Sequence, residues 1–292
     1  MGDDRVPGLV ALEAARLYWG NDAWHENNRG QQRVLARSRS VPALVPADPV
    51  GHPLAAEAER NGFAVLDPGY RSGLIEEVRT GYEKLIDDPS ATVDMGSRIK
   101  DAVRYVLDPA GRVPVLAELL NDPVLSVLDA YYGGRWRVQH VRMWRISHLP
   151  PSERAFHHYG NLWHCDQHPI STLKYFVQIS DGVTAEGGAF RLHPVPSTRR
   201  LMRSGFLGQG WAKGPARRRL DAPDRVVPFV APAGHGAFVN TTRCLHRAGI
   251  PPEGTTRGMV QFTFVPAPEA RHLGDPLAGL APDPNVAEGR TA

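Results

Sequence analysis

The stretch "RGMVQFTFVP", residues 257–266, alternates in character from one residue to the next. Successive side chains of an extended chain point to opposite faces. Val260, Phe262 and Phe264 therefore make one strongly apolar face, while Arg257, Met259, Gln261 and Thr263 share the other. A strand of this kind packs its apolar face on a core and turns its mixed face to a cavity, where a guanidinium at the entrance can grip a carboxylate through two parallel hydrogen bonds.

The same texture begins near residue 135 and recurs in "WRVQHVRMWRI", "TLKYFVQIS", "GGAFRLHPV" and "RVVPFVAPAGHGAFVN". These are short apolar or alternating runs punctuated by Gly and Pro. Such spacing predicts a mainly β chain, an antiparallel sandwich or barrel of the jelly-roll kind with helices outside it. The helices come first. "LAAEAERNGFAVLD" reads as a short helix running through Asn61-Gly62 into a strand, and "YRSGLIEEVRTGYEKLI" carries Leu74, Ile75, Val78, Tyr82, Leu85 and Ile86 at helical spacing. "VPVLAELLNDPVLSVLDAYYGG" reads as a helix or pair broken at Asn121-Asp122-Pro123.

Three regions follow: an N-terminal arm with a helix over 1–53, a β-rich domain over 54–268, and a Pro-, Ala- and Gly-rich mobile tail over 269–292. No internal repeat is visible. The 292 residues are enough for one large domain. With 42% hydrophobic and 22% charged residues the composition is that of a globular enzyme, and no apolar run approaches the ~18 residues of a membrane span.

The start, "MGDDRVPGLVALEAARLYWG", has acids where a secretory signal needs basic residues, so a cytoplasmic location is expected. A net charge of +3 is too small to imply a nucleic-acid partner. Lysine occurs only at 84, 100, 174 and 213, with arginine supplying the other basic residues, as in products of GC-rich bacterial genes. Two cysteines, Cys165 and Cys244, make no disulfide framework and fit a reducing compartment. Both lie close to histidines, but no C-x-x-C pair supports a structural zinc site.

Chemistry concentrates in "NLWHCDQHP", residues 161–169. On a strand His164 and Asp166 point to one face and Cys165 to the other. One imidazole and one carboxylate, joined by a distant histidine, would make a two-His-one-carboxylate facial triad with open positions for a co-substrate and O2. His246 in "NTTRCLHRAGIPPEGTTRGMVQFTFVP" is the best third ligand, returned to the pair by a hairpin. His235 in "AGHGAF" competes but sits in a glycine-flanked turn. His157, His158 and His168 read as a wet loop at the pocket mouth. Lys174 lies on an alternating strand with Thr172, Phe176 and Gln178, a face of unusual polarity for one turned to a core.

Together these residues resemble the phytanoyl-CoA dioxygenase family of Fe(II)/2-oxoglutarate oxygenases over residues 54–268. The likeness rests on Trp163-His164-Cys165-Asp166, on "DGVTAEGGAFRLHPVPST" from Asp181, on His246, on Arg257 eleven residues beyond it, and on the opening strand "ERNGFAVLD". "HPVPST" stands where the family commonly has Pro-Gly-Ser-His, and Ala248 where a serine often holds the co-substrate.

The resemblance implies a double-stranded β-helix (jelly-roll, cupin-like) core with Fe(II) on His164, Asp166 and His246. It also implies the distal carboxylate of 2-oxoglutarate on Arg257, with Gln139 and Lys174 as further co-substrate contacts. The implied reaction consumes O2 and 2-oxoglutarate and oxidises a small molecule, by hydroxylation or oxidative cyclisation, in bacterial secondary-metabolite tailoring. Asp166 argues against the related halogenases, which lack that carboxylate so that chloride can bind. A zinc-dependent hydrolase and a non-catalytic cupin-like binding protein are the alternatives. Between residues 197 and 220, Arg199, Arg200, Arg203, Lys213, Arg217, Arg218 and Arg219 make a basic stretch. It reads as a solvated loop or as a lid over an anionic substrate.

Overall fold

The computed structural model describes residues 52–95, 98–166, 168–203, 220, 222, 225–267 and 274–288. The expected N-terminal helix and the centre of the basic stretch lie outside these residues.

Helix α1 (Pro53–Asn61) starts where the His52 side chain accepts the Ala55 N–H and Pro53 needs no amide partner; it stops at Gly62, whose φ of 81° favours glycine. Strand β1 (Phe63–Leu66) follows directly. In α2 (Leu74–Ile86) every fourth residue, Leu74, Val78, Tyr82 and Ile86, is buried. After β2 (Thr92–Asp94) and β3 (Val103–Val106) come a 3-10 turn at Pro114–Leu119 and helix α3 (Asp122–Tyr132). The two are separated at Asn121, whose backbone is extended, and Pro123 sits in the first turn of α3, where its missing N–H leaves no helical bond unmade.

Then follow β4 (Trp136–Ser147), β5 (Leu173–Gln178), β6 (Phe190–Leu192), α4 (Val195–Arg203), β7 (Val227–Phe229), β8 (Gly236–Val239), β9 (His246–Arg247), β10 (Thr256–Pro266) and a one-turn helix at Pro284–Ala287. Seven strands form one antiparallel sheet in the order β1-β8-β5-β10-β4-β3-β2; three form a second, β7-β6-β9. Strand β10 lies between β4 and β5 and divides its side chains as its alternation predicts. Val260, Phe262 and Phe264 are fully buried in the large apolar cluster with Tyr132, Tyr175 and the helices. Met259 joins Phe176, Phe190, Phe229 and Val239 between the two sheets. The architecture is the expected mainly β jelly roll with flanking helices.

One glycine fixes how β8 meets β5. A Cβ on Gly236 would stand 2.2 Å from the Tyr175 ring, whose hydroxyl lies 3.1 Å from that of Tyr70. Gly236→Ala should therefore cost about 2 kcal/mol through overpacking, read as a fall of about 5 °C in a thermal melt; an unchanged melting temperature would contradict this packing.

The C-terminal stretch differs from the mobile tail expected of its composition. Residues 274–288 lie against the barrel with Leu277, Asp283 and Val286 buried, and the Asp283 carboxylate meets Arg142 at 2.6 Å. Periodicity could not reveal this segment, because isolated side chains rather than a repeating face hold it.

Candidate metal centre

His164, Asp166 and His246 converge, each offering one ligand atom, with these atoms all within 4.8 Å of one another. Residues 161–166 do not form the regular strand expected. His164 makes an isolated antiparallel bridge with His246 (N–H to carbonyl, 3.0 and 2.8 Å), and the Asp166 amide donates to the Thr241 carbonyl at 3.0 Å. Alternation survives all the same: Trp163 and Cys165 pack with Leu201, Leu220 and Leu245, while His164 and Asp166 face the cavity. His246 arrives on β9, paired to Leu192 of β6.

The hydrogen bonds orient the three groups. His164 Nδ1 is 2.8 Å from the Leu162 carbonyl and His246 Nδ1 is 3.0 Å from the Cys244 carbonyl. Since a carbonyl only accepts, each Nδ1 carries its proton and each Nε2 keeps its lone pair. Both Nε2 atoms face Asp166 Oδ1, at 3.5 and 3.6 Å. Atoms about 2.1 Å from a common ion lie no more than about 4.2 Å apart, so both separations permit a shared ion. Asp166 Oδ2 turns the other way and accepts from Lys174 Nζ at 2.6 Å.

Burial pushes the Asp166 carboxyl up, but Lys174, His246 and His164 outweigh it and hold it well below the usual range. Burial draws Lys174 down while Asp166 opposes the change. Nζ and Oδ2 stand at salt-bridge distance, 2.6 Å.

The triad faces a cavity of about 130 Å3 whose lining includes Trp144, Phe176, Phe190, Met259, Arg142 and Arg257. Arg257 was expected at the entrance; it is instead almost fully buried, at 2% exposure. One terminal nitrogen donates to the Gly188 carbonyl, its Nε is buried without a partner, and burial pushes it down to about 10. Among the described residues no carboxylate pairs with it. Gln139 sits at the register shift between β4 and β10 and is not among the cavity residues. The shift interrupts the alternation there, so position along β4 alone could not aim Gln139. Lys174 does reach the cavity, but against Asp166.

His168 lines the cavity, and the His157 ring lies 5.6 Å from that of His164. His158 is buried with its Nε2 3.3 Å from Glu153. His235 is remote, near Asp67 at 3.6 Å. Sequence reasoning missed Arg142 and Tyr105. Arg142 alternates with Trp144 and Ile146, a visible signal, but parity does not say which face is inside. A larger cavity of about 690 Å3, bordered by Arg154, Trp163, Arg191 and Arg247, holds none of the triad.

Burial also makes the site acid-sensitive. It pushes His246 down to about 3, helped by His164, and His168 down to about 4, helped by Lys174. Each binds a proton less readily folded than unfolded, so its contribution is complete above the ordinary value of 6.5 and is lost as pH falls toward 3–4. Metal-free protein should lose about 2 kcal/mol between pH 7 and 5.5. Urea melts at the two pH values measure this, and equal midpoints would refute it.

No family model and no curated protein matches the chain. Several solved structures resemble it. One is the epimerase SnoN in complex with Fe3+, alpha ketoglutarate and nogalamycin RO, at TM-score 0.53 and 17% identity over 73% of this chain and 82% of that one. EctD from S. alaskensis with 2-oxoglutarate and 5-hydroxyectoine has TM-score 0.57 and 13% identity over 86% and 91%. HygX from Streptomyces hygroscopicus, with nickel, 2-oxoglutarate and hygromycin B bound, has TM-score 0.50 and 17% identity over 73% and 86%. At these identities the likeness establishes the fold, a double-stranded β-helix. No helix among the described residues is long and apolar enough to cross a membrane.

Proposed function

We propose that the protein is an Fe(II)/2-oxoglutarate-dependent oxygenase of the phytanoyl-CoA dioxygenase type, oxidising a small molecule by hydroxylation or oxidative cyclisation in secondary-metabolite tailoring. The carrying observation is one cavity holding both a His-Asp-His cluster and a buried arginine that no described carboxylate neutralises. Two imidazoles and one carboxylate with open positions suit non-haem iron. The orphaned Arg257 Nε suits a ligand carboxylate. Like 2-oxoglutarate itself, the ligands named in the SnoN, EctD and HygX structures are small molecules.

Bound iron supplies O2 activation coupled to the oxidation of 2-oxoglutarate to succinate and CO2 and of the substrate. The chain's residues prepare the site for it. The Leu162 and Cys244 carbonyls hold both imidazoles in the tautomer that presents Nε2. Lys174 engages Asp166 Oδ2, leaving Oδ1 as the oxygen that would hold the ion together with the two imidazoles. Arg257 binds and orients the distal carboxylate, and Trp144, Phe176, Phe190 and Met259 keep water from the cavity.

Anaerobic reconstitution with Fe(II) and 2-oxoglutarate, followed by O2, tests the reading. The expected result is a visible absorption band that needs both components, and succinate formed only with iron. Hydrolytic activity with Zn(II) and no succinate with Fe(II) would select the zinc hydrolase instead.

A further inference from the structure

Arg142 makes a second guanidinium in the cavity, and it is held differently from Arg257. Its Nε donates to Asp283 Oδ2 at 2.6 Å, while Asp283 Oδ1 accepts the Asn285 amide at 3.0 Å. Both carboxylate oxygens are therefore engaged, and Asp283 covers only one edge of the guanidinium. Among the described residues nothing hydrogen-bonds the two terminal nitrogens, although the Arg142 side chain is only 11% exposed. Gln261 is its cross-strand neighbour on β10, and Tyr105 and His168 complete this side of the cavity. A guanidinium tethered at Nε cannot swing, so its two terminal N–H groups stand as a preset fork for two oxygens. Lys174, the other cation here, is already taken by Asp166.

We propose that Arg142, tethered by Asp283 of the C-terminal segment, forms a second oxyanion subsite that holds a carboxylate or phosphoryl group of the substrate. The assignment of the occupant as the molecule to be oxidised rests on the oxygenase reading; the subsite itself does not. Two arginines divide the work: Arg257 takes the keto acid and Arg142 the substrate. The substrate class is then a small anionic molecule, and the C-terminal segment takes part in selecting it.

Propionate and methylphosphonate serve as probes, their methyl protons read by saturation transfer from the full-length protein, both metal-free and loaded with Zn(II) and saturating 2-oxoglutarate. Both states should bind one of the probes. The tighter probe identifies a carboxylate or a phosphoryl substrate. Arg142→Gln should raise the dissociation constant at least about tenfold, the loss expected for a charge-assisted pair. Because Arg142→Gln leaves Asp283 buried without its cation, the double variant Arg142→Gln/Asp283→Asn repeats the test and should show the same loss. Probe binding indifferent to both variants, or abolished by saturating 2-oxoglutarate in the loaded protein, overturns the subsite. Arg142-dependent binding in a protein that takes up no metal on its triad would uphold the subsite and sink the oxygenase reading. Metal and 2-oxoglutarate uptake with an Arg142-indifferent probe would do the reverse.

Discussion

In the His246→Ala protein, succinate formation from 2-oxoglutarate falls to the iron-free background, a loss of at least about 1,000-fold or roughly 4 kcal/mol of transition-state stabilisation. His246 supplies one of only three side-chain ligand atoms in the cluster, and its Nε2 is the atom turned toward Asp166. Loss of a group that merely orients a ligand already costs about 10–100-fold in metal affinity, so loss of a ligand exceeds that. The fold itself survives: the ring packs 5.6 Å from Phe190 and its Nδ1 donates to a local carbonyl. Far-UV circular dichroism should be unchanged while competition against a chelator shows weakened Fe(II) binding. Retained iron-dependent succinate formation would remove His246 from the metal.

Arg257→Met separates co-substrate binding from stability in an unusual direction. Desolvating a guanidinium against a single carbonyl is costly, and without ligand no described carboxylate offsets it. Methionine of similar reach removes that cost, so the metal-free variant should melt no lower than the parent. The KM for 2-oxoglutarate should rise about 100-fold, equivalent to about 2.7 kcal/mol for a lost bidentate carboxylate pair. Saturating 2-oxoglutarate should stabilise the parent in a thermal melt and leave the variant unmoved. A variant whose KM is unchanged would mean that the keto acid sits elsewhere in the cavity.

The legible parts of the sequence were those where one local rule governs. The two-residue period of 257–266 separated Val260, Phe262 and Phe264 from Met259, Gln261 and Thr263, and the structure puts the two sets on opposite faces of one strand. Helix α2 followed from its four-residue apolar spacing and α1 from its glycine stop. The convergence of His164, Asp166 and His246 was also anticipated, because spacing together with the family pattern singled out the same three. What stayed hidden depends on side-chain contacts that no local period encodes. Lys174 is read from sequence as a co-substrate contact because its strand face is polar; its Nζ instead meets the Asp166 carboxylate eight positions away, a contact that alternation along the strand does not reveal. Asp283 lies in a stretch without periodicity, so its pairing with Arg142 across 141 positions left no sequence trace. Gln139 was lost to a single register shift.

The reciprocal main-chain bonds between His164 and His246 bear on what happens when the ion leaves. In small zinc modules the ion itself recruits the ligands, and a chelator unfolds them. Here amide and carbonyl groups join the two ligand-bearing segments without one, so under the oxygenase reading a chelator is expected to remove the ion and leave the fold, and a fresh ferrous ion to reload the three ligands without refolding.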